Sequence, residues 1–411
     1  MQVPILRIIF SWRMVVTFFL GISSGIPLLV TGSTLQAWMT DEKVNLAVIG
    51  MFSLVGIPYT VKFLWSPFLD RYVPPFLGRR RGWMLIFQML LMLAIGAFYF
   101  IKPAESPWTV AILAVFVTFF SASQDVVIDA YRRELLPDEE LGLGASMSSN
   151  GYRIGMLISG AFALFLADRI PWNYVYLLLA GSLFIGMITA FLGPNPDEQI
   201  IPPQSLREAV IEPFTEYFKR RGAYEILAFI ILYKIGDVMA ANMTTPFILN
   251  IGFSKTDLAV IGKTFGIIAL IVGGLAGGIL ILRIGLFNAL WIFGILQAVS
   301  TLFFSALVSV GAYYNILVAT VTFENLTSGM GASAFIAFMA TLCNKRFTAT
   351  QYALLSSLMG IPRVIIASPT GFLAEKLGWV YFFVFCALAA IPGLVFLVRY
   401  KVWQEGSVSL N

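Results

Sequence analysis

The hydrophobic positions of this chain fall in long unbroken runs. They show neither the alternation of a half-buried strand nor the stripe of a soluble amphipathic helix. Roughly 18–26 apolar residues recur between short polar stretches, each enough to cross a hydrocarbon core of about 30 Å. With no water there to satisfy peptide groups, such runs must be helical. The pattern predicts spans at 13–38, 45–69, 83–101, 107–133, 142–167 and 172–192. A second set follows at 223–249, 257–281, 287–309, 311–340, 350–374 and 379–399. Spans four and ten are long and are expected to tilt or to project beyond the bilayer. The first span runs from Met14 to Trp38 without a small-residue cleavage site and leads straight into another, so it is not read as a signal peptide.

Composition agrees with this reading. Hydrophobic residues make up 59% of the 411 and charged residues 12%, with a mean hydropathy of +0.85, whereas a soluble domain carries about 25% charged residues. The expected class is an all-α integral membrane protein with twelve transmembrane helices. Basic residues set the orientation: seventeen fall on the side of the termini and five on the other, which predicts both termini in the cytoplasm. The net charge of +5 is therefore an orientation signal and implies no nucleic-acid partner. Cys343 and Cys386 lie on cytoplasmic or membrane stretches, so no disulfide is expected. Histidine is absent, which excludes histidine-containing zinc clusters and histidine-based triads. The cysteines are too far apart for metal spacing, and no nucleophile constellation emerges. We expect no enzyme, no cofactor and no metal, but a monomer whose surroundings are the lipid bilayer.

Six predicted spans lie on each side of a stretch rich in proline and charge. The expected domains are a six-helix bundle over 1–193, a cytoplasmic linker over 194–222 and a second six-helix bundle over 223–411. Within the linker, Ser205 to Arg221 suits a short amphipathic helix on the membrane surface. The halves resemble each other: Gly151-Tyr-Arg-Ile-Gly precedes Gly360-Ile-Pro-Arg-Val by about 210 residues. Such a six-plus-six repeat is the plan of the major facilitator superfamily. The loop after span two, from Asp70-Arg71 through Gly78-Arg79-Arg80, resembles the cytoplasmic signature of that superfamily, with Pro74-Pro75 stretching its spacing. The resemblance implies a gate in which carboxylate and guanidinium pair at a helix end. The counterpart around Arg283-Ile-Gly285 lacks the aspartate.

Charges inside spans are the informative residues, because each costs about 2.5–3.5 kcal/mol at the bilayer centre and needs a partner, a wet cavity or a task. They are Lys62, Asp125, Asp129, Arg153, Lys234, Asp237, Lys263, Glu324 and Arg363. Asp125 and Asp129 are spaced i,i+4 and share a helix face. Two such carboxylates repel, so one is expected to keep its proton. Without histidine, a group that titrates during transport is a carboxylate, which makes Asp125, Asp129 and Glu324 the proton-coupling candidates. The alternative is that the aspartates neutralise Arg153, Arg132 or Lys234. Lys234 and Asp237, at i,i+3, either pair along their helix or face a charged ligand. Arg153 and Arg363 occupy repeat-related positions and offer a planar fork to carboxylates. Gln36, Gln124, Tyr152, Asn242, Thr244, Thr245 and Asn325 are hydrogen-bonding candidates on the same helices. Gly273 to Gly278 lies inside an apolar span with no strand before it, so it is helix packing rather than a phosphate loop.

The chain also resembles the AmpG muropeptide permeases of Gram-negative bacteria. The matching stretches include Gly32-Ser-Thr-Leu-Gln-Ala-Trp-Met39, Lys62-Phe-Leu-Trp-Ser-Pro67, Gly78-Arg-Arg-Arg-Gly-Trp83 and Ser121-Ala-Ser-Gln-Asp125 through Asp129. Gly151-Tyr-Arg153, Leu232-Tyr-Lys234 with Gly236-Asp237, Glu324-Asn-Leu326 and Thr341-Leu-Cys-Asn344 extend the match over most of the chain. The resemblance implies proton-coupled import of N-acetylglucosamine–1,6-anhydro-N-acetylmuramic acid, with or without its stem peptide, across the bacterial inner membrane. It also implies a role in cell-wall recycling and a link to β-lactamase induction. Some enteric members carry two further hydrophobic segments after the point where this sequence stops at Asn411. Transport is expected without them. Two alternatives stay open: a carrier of another polar ligand, of siderophore or acyl-CoA type, and a membrane sensor that does not transport. The substrate-binding candidates are Gln36, Gln124, Asp125, Tyr152, Arg153, Lys234, Asp237, Asn242, Lys263, Asn325 and Arg363.

Overall fold

The computed structural model of the chain describes residues 5–196, 201–254, 257, 260–359, 366, 369–400 and 403, with the side chains at 5, 46, 47, 50, 53, 263 and 264 excepted. Arg363 and the side chain of Lys263 thus lie outside the described residues. The described residues are helical throughout, without a strand. Among them nine helices are long and apolar enough to cross a membrane. We number the spans in chain order: span 1 is Trp12–Asp41, span 3 Gly78–Phe100, span 4 Pro107–Leu135, span 5 Asp138–Ala167 and span 6 Trp172–Leu192. Span 7 is Ala223–Asn250, span 8 Ile267–Ile284 and span 9 Leu286–Val310. Thr370–Arg399, broken at Gly378 with φ of +72°, holds the described end of span 11 and then span 12, as the expected spans 350–374 and 379–399 required. Span 10 is Tyr314–Thr341, followed in the chain by the helix Lys345–Leu358. The latter holds the described start of span 11.

Span 2 departs from the expected continuous helix over 45–69. It is a chain of short pieces: Leu46–Met51, a 3-10 stretch Phe52–Gly56, Ile57–Val61, a second 3-10 stretch Lys62–Leu64, and Ser66–Arg71. Pro58 and Pro67 sit at the first turns of two of these pieces, and each lacks the N–H that would continue the ladder. Long apolar composition therefore does not guarantee an unbroken helix. Spans 4 and 10 are long, as expected, at 29 and 28 residues. Pro107 opens span 4, where its missing N–H costs nothing. Gly273–Gly278 lies inside helix, as its surroundings required. The amphipathic stretch forms a helix over Leu206–Lys219. The Ser205 backbone N–H donates to Glu208 Oε2 at 3.4 Å, and Ser205 Oγ accepts from Glu208 N at 3.0 Å. This is a capping box.

The chain separates into two units, Met1–Pro213 with Cys343–Ser357, and Phe214–Leu342 with Leu358–Asn411. In the first unit, spans 1 and 5 touch backbone to backbone. A Cβ on Gly21 or Gly25 would lie 2.3 and 2.0 Å from the carbonyl oxygens of Ser148 and Tyr152. One on Gly151 or Gly155 would lie 2.1 and 2.2 Å from those of Phe18 and Ile22. Only glycine allows that approach. The core of this unit gathers Trp38, Phe98 and Tyr176, and the Tyr176 hydroxyl donates to the Val30 carbonyl at 2.9 Å. In the second unit Phe247, Phe304, Phe382 and Phe383 form the corresponding apolar core.

Candidate functional site

The glycine contact between spans 1 and 5 decides which side chains meet in the first unit. It brings Ser24 beside span 4, where its hydroxyl donates to Asp125 Oδ1. Broken span 2 adds Tyr59, which donates to Ser121 Oγ at 2.8 Å, and Lys62, 9% exposed and in electrostatic range of Asp125. Tyr152 lies in electrostatic range of Tyr59. One turn along, Asp129 pairs with Arg132 at 2.8 Å. Arg132 in turn donates to Ser148 Oγ and to the Tyr352 hydroxyl, each at 3.0 Å. The two aspartates share a face, as their spacing required, but not an environment. Asp129 belongs to a closed ion-pair network, whereas Asp125 meets a serine, with a lysine at longer range.

Other candidates scatter. Arg153 donates to Asn150 Oδ1 at 2.8 Å. Gln124 turns into the bundle interior, fully buried, and donates to Ser23 Oγ at 3.4 Å. Gln36 is exposed on the helix Ser33–Asp41, after span 1 bends at Gly32.

In the second unit Lys234 and Asp237 pair at 3.0 Å, as their spacing suggested. Glu324 lies in electrostatic range of both and accepts from Asn325 Nδ2 at 2.9 Å. Glu324 and Asn325 line a cavity of about 860 Å³, open mouth included, with Thr244, Thr245 and Ser328. Asn242 donates to Thr370 Oγ1 at 2.8 Å. Among the described residues no group of three or more metal-ligating side chains could hold a metal ion.

The loop after span 2 carries a buried charge cluster. Leu77 and Gly78 have φ of +57° and +74° and turn the chain into span 3. Asp70, fully buried, pairs with Arg80 at 2.7 Å. Its other contacts cap the helix Thr348–Leu358: it accepts from Ala349 N at 3.2 Å, Thr350 N at 2.8 Å and the Thr350 hydroxyl at 2.7 Å. Glu134 completes the cluster, 2.6 Å from Arg80 and 3.0 Å from Arg79. Arg71 stands outside it, over the ring of Tyr72. The sequence pointed to Asp70 and the arginines but missed Glu134 and Thr350. Glu134 directly follows Arg132-Arg133, and an acid beside bases at a helix end was the available signal.

Many apolar spans with charged groups buried among them define a multi-pass membrane protein. A family model of the Major Facilitator Superfamily matches residues 13–367. Solved structures share the fold: FucP in the outward conformation at TM-score 0.70 and 13% identity, covering 95% of this chain and 97% of that one. The proton:xylose symporter XylE follows at TM-score 0.68 and 11% identity, covering 95% of each. An anhydromuropeptide permease of Escherichia coli K12 is 48% identical over 96% of this chain and 80% of its own length. A putative transporter AmpG 4 of Rickettsia felis is 34% identical over 96% and 98%. The chain belongs to the Major Facilitator Superfamily and, within it, to the AmpG anhydromuropeptide permease family.

Proposed function

We infer that this protein is a proton-coupled importer that carries GlcNAc–1,6-anhydroMurNAc, with or without stem peptide, from periplasm to cytosol across the bacterial inner membrane. It serves peptidoglycan recycling and, through cytosolic muropeptides, affects β-lactamase induction. It moves its substrate without chemical change. The bundles are 1–193 and 223–411, the linker is 194–222, and both termini are cytoplasmic. The substrate follows from the 48% identity to the anhydromuropeptide permease. The coupling rests on one observation. Among the described residues Asp125 and Glu324 stand in no ion pair, while Asp129 and Asp237 each hold a cation.

A carboxylate without a bound cation pays the cost of burial when charged. Taking up a proton removes that cost and favours the closed, desolvated state, so proton and substrate move together. Asp125 and Glu324 are the proton carriers in this reading, and Asp129 is held by Arg132. Sugar hydroxyls meet Thr244, Thr245 and Asn325, and the substrate carboxylates meet Lys234.

The test is uptake of radiolabelled GlcNAc–anhydroMurNAc by proteoliposomes under an inward proton gradient, with and without an ionophore, for wild type, Asp125→Asn and Glu324→Gln. Accumulation that the ionophore collapses and either variant loses is the expected result. No uptake by folded wild type refutes the substrate and directs the same assay to siderophores. Ionophore-insensitive uptake refutes the coupling.

A further inference from the structure

Two glutamines that carry no charge, and so drew no notice in the sequence, sit at repeat-related places. Gln88 in span 3 and Gln297 in span 9 are about 210 residues apart, the offset that relates Gly151 to Gly360. Both are buried, at 0% and 6% exposure. Each amide lies against a glycine of another helix in its own unit. A Cβ on Gly186 would come within 2.2 Å of Gln88 Nε2, Gln88 Oε1 and Ser23 Oγ alike, so these three atoms crowd one point. One on Gly331 would lie 2.6–2.7 Å from the amide atoms of Gln297. Methionine would fill either space without the penalty of burying an amide, which is costly unless hydrogen-bonded.

The Gln297 amide reaches a polar group on the first span of its half, and the Gln88 amide lies beside one without a hydrogen bond to it. Gln297 Nε2 donates to Asp237 Oδ2 at 3.5 Å, the oxygen that also accepts from Lys234 Nζ at 3.0 Å. The Gln88 amide crowds Ser23, which accepts from Gln124 Nε2 at 3.4 Å. The next residues on the same two helices, Ser24 and Asp125, are joined by their own hydrogen bond. Gln88 Nε2 and Oε1 and Gln124 Oε1 are buried and make no hydrogen bond among the described residues.

We propose that Gln297 and Gln88 are positioning residues, one in each half. Gln297 holds the Asp237 carboxylate in register with Lys234. Gln88, packed beside Ser23 in the space next to Gly186, holds it against Gln124, and thereby holds the Ser24–Asp125 contact one residue further on. Neither touches the substrate; both act through the groups that bind it or carry its proton. The transport consequence rests on the function proposed above, but the geometry does not.

Gln297→Met and Gln88→Met keep the volume and remove the amide. Gln297→Glu keeps the shape and turns a donor into a charge facing Asp237. Uptake rate against disaccharide concentration is measured on monodisperse protein in proteoliposomes. The expected result for Gln297→Met is a KM raised about tenfold, the loss of one hydrogen bond to a charged group. Gln297→Glu abolishes uptake, and Gln88→Met lowers the maximal rate about tenfold at unchanged KM. Wild-type kinetics in both methionine variants overturns the proposal, because the glutamines are then volume fillers. Double-mutant cycles in melting temperature give a second reading that needs no substrate. Gln297→Met is combined with Asp237→Asn, and Gln88→Met with Ser23→Ala. Non-additive shifts are expected within each pair, and additive shifts overturn the proposal even if wild type does not carry this disaccharide. Should a methionine variant fail to fold, Gln→Asn at that position, which withdraws the amide by one methylene, goes through both assays with the same criteria.

Discussion

Gly25→Ala adds one methyl group at the contact between spans 1 and 5. Its Cβ would lie 2.0 Å from the Tyr152 carbonyl oxygen and 2.8 and 2.9 Å from the carbon and Cα of that residue, where ordinary contact begins near 3.4 Å. All three are backbone atoms and cannot rotate away. The helices must separate by roughly 1 Å or more, an overpacking that costs about 1–3 kcal/mol. Gly96→Ala is the control, because its Cβ would meet only the Ala180 Cβ at 3.8 Å. Both substitutions gain up to about 1 kcal/mol of helix propensity. Gly96→Ala is therefore expected to match or exceed wild-type melting temperature in detergent, and Gly25→Ala to fall below it. Uptake should fall as well, since a displaced span 1 takes Ser24 away from Asp125. Equal melting temperatures for the two variants would refute the backbone-to-backbone contact.

Glu134→Ala removes the carboxylate shared by Arg79 and Arg80 and should destabilise the protein by about 3–5 kcal/mol; melting like wild type refutes the cluster. Thr350→Val deletes one of two hydrogen bonds from that residue to Asp70 and leaves the backbone one. A loss of about 1 kcal/mol is expected by thermal melting, and no change would show that the hydroxyl is not bonded. Lys234→Met and Asp237→Asn each strand a half-buried charge, whereas the double variant should melt closer to wild type than either single one while uptake stays lost; additive destabilisation refutes the pair. Lys102 and Glu105 pair at 3.0 Å, and Glu105 raises the affinity of the Lys102 ammonium for its proton. Both side chains are mostly exposed, so Lys102→Gln should leave the melting temperature unchanged; a clear drop refutes that.

How much was legible in the sequence follows from the range of each force. Span positions depend on the free energy of moving each local stretch into hydrocarbon, so spans 3 to 6 appeared within a few residues of their observed ends. Helical neighbours were equally legible: Lys234–Asp237 is an i,i+3 pair, and the shared face of Asp125 and Asp129 follows from i,i+4. Even so, local composition misjudged span 2, where Pro58 and Pro67 cut the ladder without lowering the hydrophobicity. Partners on other helices were out of reach, because they are distant in the chain and are set by packing, whereas Arg132 beside Asp129 was among the partners the sequence offered. Arg132, which holds Asp129, goes on to Ser148 and Tyr352, and Asp125 meets Ser24 of span 1, whose close approach to span 5 needs glycine. Asp70 caps a helix that begins 278 residues later. A linear chain states which residues are costly in a membrane; which neighbour offsets each cost depends on how the helices pack.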